Sequence, residues 1–165
     1  KFDRSILTIY FTIVSSLFSL LEFSFCPLQH FFREQPEGAF KFFRPHEFDE
    51  KAVRKVVNNK AFLTFLVLSD NELVGYFFLR AFVNGKCFRG KMVHKDLQGR
   101  GIAKLMGVAM TKVSQHLDLR MFGSISPENY ASMASAKASN EIKIHKTLEN
   151  GYYYIEFLPK IKIEK

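Results

Sequence analysis

The sequence predicts an α+β fold, a mixed and mainly antiparallel sheet flanked by helices, and three patterns predict it. Hydrophobic runs of period 2 and of period 3.6 follow one another as strand, helix, three strands, helix, strand, helix, strand. Two tight-turn signals, Ser69-Asp70-Asn71-Glu72 and Asn84-Gly85, fold the three central strands into a meander. A glycine-containing turn, Gln98-Gly99-Arg100-Gly101, then separates the last of these strands from an amphipathic helix. With 165 residues, 47% of them hydrophobic, the chain suits one sizeable core, built from Leu, Ile, Val and 19 Phe in the absence of Trp.

In chain order, Ser5 to Phe23 is apolar except for Ser5, Thr8, Thr12, Ser15, Ser16, Ser19 and Glu22, whose steps of three and four predict a helix. Its wide apolar face suits a protein core or a dimer partner. A membrane span needs roughly 20 apolar residues with few polar ones, so the Ser/Thr stripe argues against insertion. Lys1 and Arg4 precede the run as in a signal peptide, but Phe23-Ser24-Phe25-Cys26 is bulky where a cleavage site wants small residues. Cys26 to Gly38, punctuated by Pro27, Pro36 and Gly38, reads as a connector, which divides the chain into residues 1–38 and a domain over 39–165.

Ala39 to Arg44 alternates as a short strand, and Phe48 to Val57 is a helix with Ala52, Val53, Val56 and Val57 inward. The meander strands are Ala61–Leu68, Leu73–Val83 and Lys86–Val93, with Gly75 marking a bulge or close contact. In the next helix Ile102, Leu105, Met106, Ala109, Val113 and Leu117 face inward, while Lys104, Thr111, Lys112 and Gln115 face out. Leu119–Ile125 is a strand. Ser126-Pro127-Glu128 has the residue types of a helix start, so a helix is expected over 127–139. Asn140 caps a further helical stretch ending near Asn150-Gly151, and Tyr152–Leu158 is a final aromatic strand before a solvated Lys-rich tail.

The helix after the glycine turn presents free N–H groups, the positive end of its dipole, two glycines and the cations Arg100 and Lys104, which together suit an anion. A dinucleotide fingerprint needs a third glycine where Lys104 stands, and a nucleotide P-loop needs Gly-Lys-Ser/Thr, which is absent. Gln98-Gly99-Arg100-Gly101-Ile102-Ala103 instead fits Gln/Arg-x-x-Gly-x-Gly/Ala and resembles the signature of the GNAT superfamily of acyl-CoA-dependent N-acetyltransferases. Phe43-Arg44-Pro45 resembles the opening of many such domains, and the resemblance covers about Phe40 to Leu158.

The resemblance implies an α/β/α layered GNAT fold, acetyl-CoA as cosubstrate and no metal. It implies that Met92 and Val93 pair with the pantetheine arm and that the Val93 N–H faces the developing oxyanion. Gln98, Gly99, Arg100, Gly101, Ile102, Ala103 and Lys104 would receive the diphosphate, and Asn129, with Ser132 one turn on, would meet the pantetheine. Two departures stand out: Ala136 occupies the position of a common thiolate-protonating Tyr, and Cys87-Phe88-Arg89-Gly90-Lys91 lacks a carboxylate base. His94 and Tyr130 are the nearest candidates for proton handling. Arg89 is expected to orient an acidic acceptor. The expected activity is acetyl transfer to a primary amine of a small molecule, such as an amino sugar nucleotide or an amino acid. The alternative is a GNAT-like domain that binds acyl-CoA without catalysis.

The net charge of +8 is compatible with nucleic acid, an anionic surface or a phosphate-rich cofactor. Its Lys and Arg are scattered without a basic run or an aromatic RNA-binding motif, so nucleic acid is not expected as a partner. Cys26 and Cys87 form neither a disulfide framework nor a zinc site, and the five His show no chelating spacing. A reducing, cytoplasmic location is the simpler reading. Whether the N-terminal helix makes a homodimer stays open.

Overall fold

The computed structural model describes residues 27–160 and, as backbone, 7–12. Among the described residues seven strands form a sheet: β1 (Leu7–Thr12), β2 (Phe62–Ser69), β3 (Glu72–Phe82), β4 (Lys86–Val93), β5 (Arg120–Ile125), β6 (Asn140–Thr147) and β7 (Tyr153–Pro159), in the order β1-β2-β3-β4-β5-β7-β6. Four helices accompany them: α1 over residues 27–34, α2 (Glu50–Val57), α3 (Ile102–His116) and α4 (Tyr130–Ser139). The expected α+β class, with its central meander and the helix after the glycine turn, is what is found. By contacts the chain falls into two compact units, one of residues up to 78 with 90–102, the other of 79–89 with the remainder.

In the first unit the expected N-terminal helix gives way, over Leu7–Thr12, to β1. It pairs antiparallel with β2 from Leu7↔Ser69 to Thr12↔Thr64. The run Thr8-Ile9-Tyr10-Phe11-Thr12 consists of β-branched and aromatic residues, which favour a strand once an edge is available to pair with. The rest of that predicted helix, 13–23, lies outside the described residues.

The predicted connector is in part α1. Leu28, Phe31 and Phe32, at helical spacing, are buried with Val53 and Val57 of α2, Phe62 and Leu66 of β2, Tyr76 and Phe78 of β3, and Met92 of β4. Residues 27–34 thus belong to this core, not to a segment ahead of the domain. The strand expected over Ala39–Arg44 is absent. Glu37–Phe40 is a 3-10 turn, and Phe40, Phe43 and Phe48 pack on each other and on the core, Phe40 and Phe48 at 4.6 Å between ring centres. Burial of three rings in a turn outcompetes an alternation with no partner strand. In β4, Gly90 is a spatial necessity, because a Cβ there would stand 2.4 Å from the Phe78 ring.

A histidine lies within this aromatic cluster. His46 Nδ1 is 2.7 Å from the Glu47 carbonyl and Nε2 is 3.2 Å from the Tyr76 hydroxyl. An Nδ1–H donating to the carbonyl leaves Nε2 to accept from Tyr76, so the neutral ring is the form that fits. Burial holds the imidazole below its ordinary 6.5, outweighing the Glu47 carbonyl and carboxylate that act the other way. Unfolded His46 gains a proton near 6.5 and the native residue does not, so stability falls as pH drops from 6.5 and is insensitive to this group above it. Urea midpoints should decline between pH 7.5 and 5.5, with a shallower decline in His46→Gln. Equal slopes for the two would refute this account.

In the second unit β4 pairs parallel with β5 at Lys86↔Arg120, Cys87↔Met121 and Phe88↔Phe122, and β7 lies antiparallel between β5 and β6. The helix expected after Asn140 is strand β6. Ile142 and Ile144 alternate with charged residues and pair with Phe157 and Ile155, a period of two that the notionally helical Asn-Glu start obscures. Gly151, at φ +80°, closes the β6–β7 hairpin instead of a helix. Ser126 does not cap α4. Asn129 does, its side chain accepting from the Ser132 N–H at 3.0 Å.

The stripe of α3 is also turned from its expected position. Ile102, Met106 and Met110 are buried, as are Thr111 and Ser114, whereas Leu105 and Leu117 are exposed. Thr111 tolerates burial because its hydroxyl donates to the Gly107 carbonyl at 2.9 Å and accepts from Asn140 Nδ2 at 2.7 Å.

Candidate functional site

β4 ends at Val93 and the chain turns through His94 and a 3-10 segment, Lys95–Leu97, before Gln98 returns to extended backbone. Four hydrogen bonds fix this entry. The His94 N–H donates to the Val74 carbonyl (2.9 Å), the Leu97 N–H to the His94 carbonyl (3.0 Å), the Lys95 N–H to Gln35 Oε1 (3.0 Å), and Gln98 Nε2 to the Val93 carbonyl (3.4 Å). Gln35 is itself buried and donates from Nε2 to the Phe31 carbonyl at 2.9 Å, so its carboxamide ties the turn to α1. Sequence reasoning passed over Gln35. The signal was there in Leu28-Phe31-Phe32-Gln35, one helical face at i, i+3, i+4 and i+7.

After this braced entry the backbone opens. Gly99 has φ +77° and Gly101 φ +86°, with Arg100 between them on the ordinary side. Such φ values are freely open only to glycine, so the main chain takes a course here that other residues would resist. Gln98, Gly99 and Arg100 are exposed, and a Cβ at Gly99 would meet nothing within 4 Å. The glycine is therefore required by its dihedral and not by crowding. One residue on, Ile102 begins α3, whose first N–H groups and positive dipole end follow directly on the turn. Lys95, Arg100 and Lys104 are exposed cations here, and Arg100 Nη2 also reaches the Asp96 carbonyl at 3.4 Å. Gln98, Gly99 and Arg100 thus form an exposed stretch of main chain flanked by cations, of the kind that suits a phosphate group.

The residues expected to carry proton transfer or substrate charge are placed less favourably. His94, its side chain 16% exposed, lies between Glu34 (3.7 Å) and Asp96 (3.8 Å), beside the Phe31 ring, and its Nδ1 accepts from the Asp96 N–H. Such bonds give the imidazole a structural task. Tyr130 at the start of α4 is 78% exposed. Asn129 has committed Oδ1 to its cap, leaving the amide NH₂. Met92 and Val93 are buried at the end of β4.

Arg89 is not available to an acceptor. It is 8% exposed, its guanidinium stands 3.3 Å from the centre of the Phe157 ring, and Nη1 donates to Asn140 Oδ1 at 3.0 Å. Burial brings its pKa down to about 9. Arg89 was expected to orient an acidic acceptor, but period-2 geometry puts it on the same face as the buried Cys87. The Cys87 thiol is pushed up to about 11 by burial, against the pull of Arg89, and so stays protonated and unsuited to nucleophilic catalysis. Among the described residues no three His, Cys, Asp or Glu are grouped to hold a metal, and no helix is long and apolar enough to cross a membrane.

The mixed sheet with its strand–glycine turn–helix unit is the fold of the GNAT N-acetyltransferases. Solved structures of that class superpose along nearly the whole chain. AAC(6')-Ib in complex with acetyl-CoA aligns over 94% of this chain and 94% of its own at 11% identity and a TM-score of 0.70. The GNAT domain of PAT from S. lividans aligns over 90% and 88% at 16% identity and 0.71. PaiA N-acetyltransferase from Thermoplasma acidophilum, in complex with coenzyme A, aligns over 92% and 99% at 12% identity and 0.71. No family profile and no curated protein matches the sequence.

Proposed function

We propose that the protein is an acetyl-CoA-dependent N-acetyltransferase acting on a primary amine of a small molecule. The observation that carries this reading is the opened turn with left-handed Gly99 and Gly101, running from β4 straight into α3 in a chain of GNAT fold. In this reading the N–H groups of residues 98–104 clasp the diphosphate of coenzyme A. Met92 and Val93 run beside the pantetheine. The amine attacks the thioester carbonyl, the Val93 N–H donates to the oxygen as it gains charge, and the C–S bond breaks to release thiolate. The amine's proton passes to water, and the thiolate takes one from water or from Tyr130. His94 drops out as the base because Nδ1, the ring nitrogen left to take a proton, already accepts from the Asp96 N–H.

The AAC(6')-Ib structures include complexes with ribostamycin and with kanamycin, which supports a small amine acceptor here. With Arg89 buried, nothing recommends an acidic acceptor over a neutral one. A cytoplasmic location, where acetyl-CoA is made available and a free thiol such as Cys87 persists, accords with the chemistry.

A second reading is a domain that binds acyl-CoA without turning it over, favoured by Ala136, by the absence of a carboxylate on β4 and by the engagement of His94. The two are separated by thermal stabilisation with acetyl-CoA, desulfo-CoA and free CoA, followed by turnover on a panel of amines. A rise of several degrees with all three CoA forms is expected, since the shared diphosphate is what the turn holds. No rise with any of them would remove both readings, and stabilisation without turnover on any amine would leave the second.

A further inference from the structure

The second unit contains a cavity of ≈ 220 Å³ lined by Phe82, Asn84, Lys86, Cys87, Phe88, Phe122 and Tyr154. Four of these side chains are aromatic. Phe122 and Tyr154 stack with ring centres 5.4 Å apart and planes inclined by 8°, and Phe82, 43% exposed, stands open to solvent. Cations sit over these rings: Lys86 Nζ is 5.4 Å from the centre of Phe122, the Arg120 guanidinium 5.3 Å from the same ring, and the Arg80 guanidinium 5.3 Å from Phe82.

The nearest carboxylate does not neutralise them all. Glu156 is buried, and its Oε1 accepts from Arg120 Nε (2.9 Å) and Nη2 (2.8 Å), while Oε2 meets His145 Nε2 at 2.9 Å. Burial pushes the Glu156 carboxyl up, but the hydrogen bonds and charges of His145 and Arg120 outweigh it and hold the group below its usual range, ionised. The charge of Arg120 is thereby matched. Arg80 and Lys86 have no carboxylate partner among the described residues.

An aromatic recess with two unmatched cations over its rings has a definite chemical complement. We propose that this cavity binds a planar aromatic carboxylate, whose ring lies among Phe82, Phe88, Phe122 and Tyr154 and whose charge is met by Lys86 and Arg80. Ring–ring contact and cation pairing each contribute, and the cations over the existing rings gain an anion without giving up their aromatic contact. The volume admits one or two fused rings, so a bicyclic acid is the better match. This site is separate from the clasp on acyl-CoA, and its test does not depend on that assignment.

The test titrates 2-naphthoate into the protein and follows ring-proton shifts of Phe82, Phe122 and Tyr154 by NMR, beside 2-naphthalenemethanol and cyclohexanecarboxylate. Saturable binding of naphthoate with a Kd on the order of 0.1 mM is expected, from the free energy that ligands of this size reach per atom. The neutral alcohol and the saturated acid should each bind at least about tenfold more weakly, since a charge-assisted contact to a carboxylate is worth about that factor. Lys86→Met keeps the aliphatic stem and should weaken naphthoate about tenfold while leaving the alcohol unchanged. Arg80→Gln, at an exposed position, gives the same comparison in a second variant. No saturable binding to the unaltered protein, shifts confined to other residues, or naphthoate affinity within twofold in both variants would overturn the proposal.

Discussion

Gly101→Val is expected to weaken acetyl-CoA binding sharply while leaving the protein folded. At φ +86° a β-branched side chain crowds its own backbone, at a cost of about 1 to 2 kcal/mol. The turn relieves this by rotating the peptide, which moves the neighbouring N–H groups out of the positions proposed to hold the diphosphate. Two charge-assisted hydrogen bonds at about 1.5 to 3 kcal/mol each then go unmade, enough for a loss of at least about 100-fold in Kd. Arg100→Ala removes an exposed cation that already has the Asp96 carbonyl as a partner, and should cost less than about tenfold. Calorimetric titration of acetyl-CoA into both variants makes the comparison. If Arg100→Ala were the more damaging, side-chain charge and not main-chain geometry would hold the diphosphate.

Asn140→Leu should lower stability by about 3 to 5 kcal/mol, the range found when one partner is removed from a buried charged contact. Asn140 accepts from Arg89 Nη1 and from the Ser139 hydroxyl at 3.0 Å each, and it donates to Thr111 Oγ1 at 2.7 Å and to the Leu158 carbonyl at 3.3 Å. One amide thus serves α3, α4, β4 and β7. Leucine fills a similar volume and makes none of these bonds, so the Arg89 charge is left buried with only the Phe157 ring for company. A fall in Tm of about 10 °C corresponds to this loss for a chain of this size. The double change Arg89→Met with Asn140→Leu should recover most of it, because removing the cation also removes the need for its acceptor. A double variant no more stable than the single would show that the amide matters for α4 and β7 rather than for Arg89.

The parts of the fold legible in the sequence were those whose signals are local. The meander turns at Ser69-Asp70-Asn71-Glu72 and Asn84-Gly85 constrain the chain within four residues, and β3 and β4 came out close to their observed limits. The two glycines of the turn over residues 98–101 were likewise readable, because positive φ is a demand that few other residues meet. What failed depended on distant partners. Leu7–Thr12 and Asn140–Thr147 each carry apolar residues in patterns that serve either period, and each becomes a strand because a neighbour, β2 or β7, offers an edge. Arg89 was expected to meet a substrate's charge, and only Asn140, 51 residues later, shows that its acceptor lies inside. The same reason hid Gln35, whose partner Lys95 is 60 residues further along.

The carboxamide of Gln35 links the entry of the turn to α1. Holding the Phe31 carbonyl with one end and the Lys95 N–H with the other, it is the one of the four entry bonds that reaches α1. If the turn holds an anion as proposed, capture should protect α1 against local opening to the extent of that bond, and by reciprocity loosening α1 should weaken capture without touching the glycines.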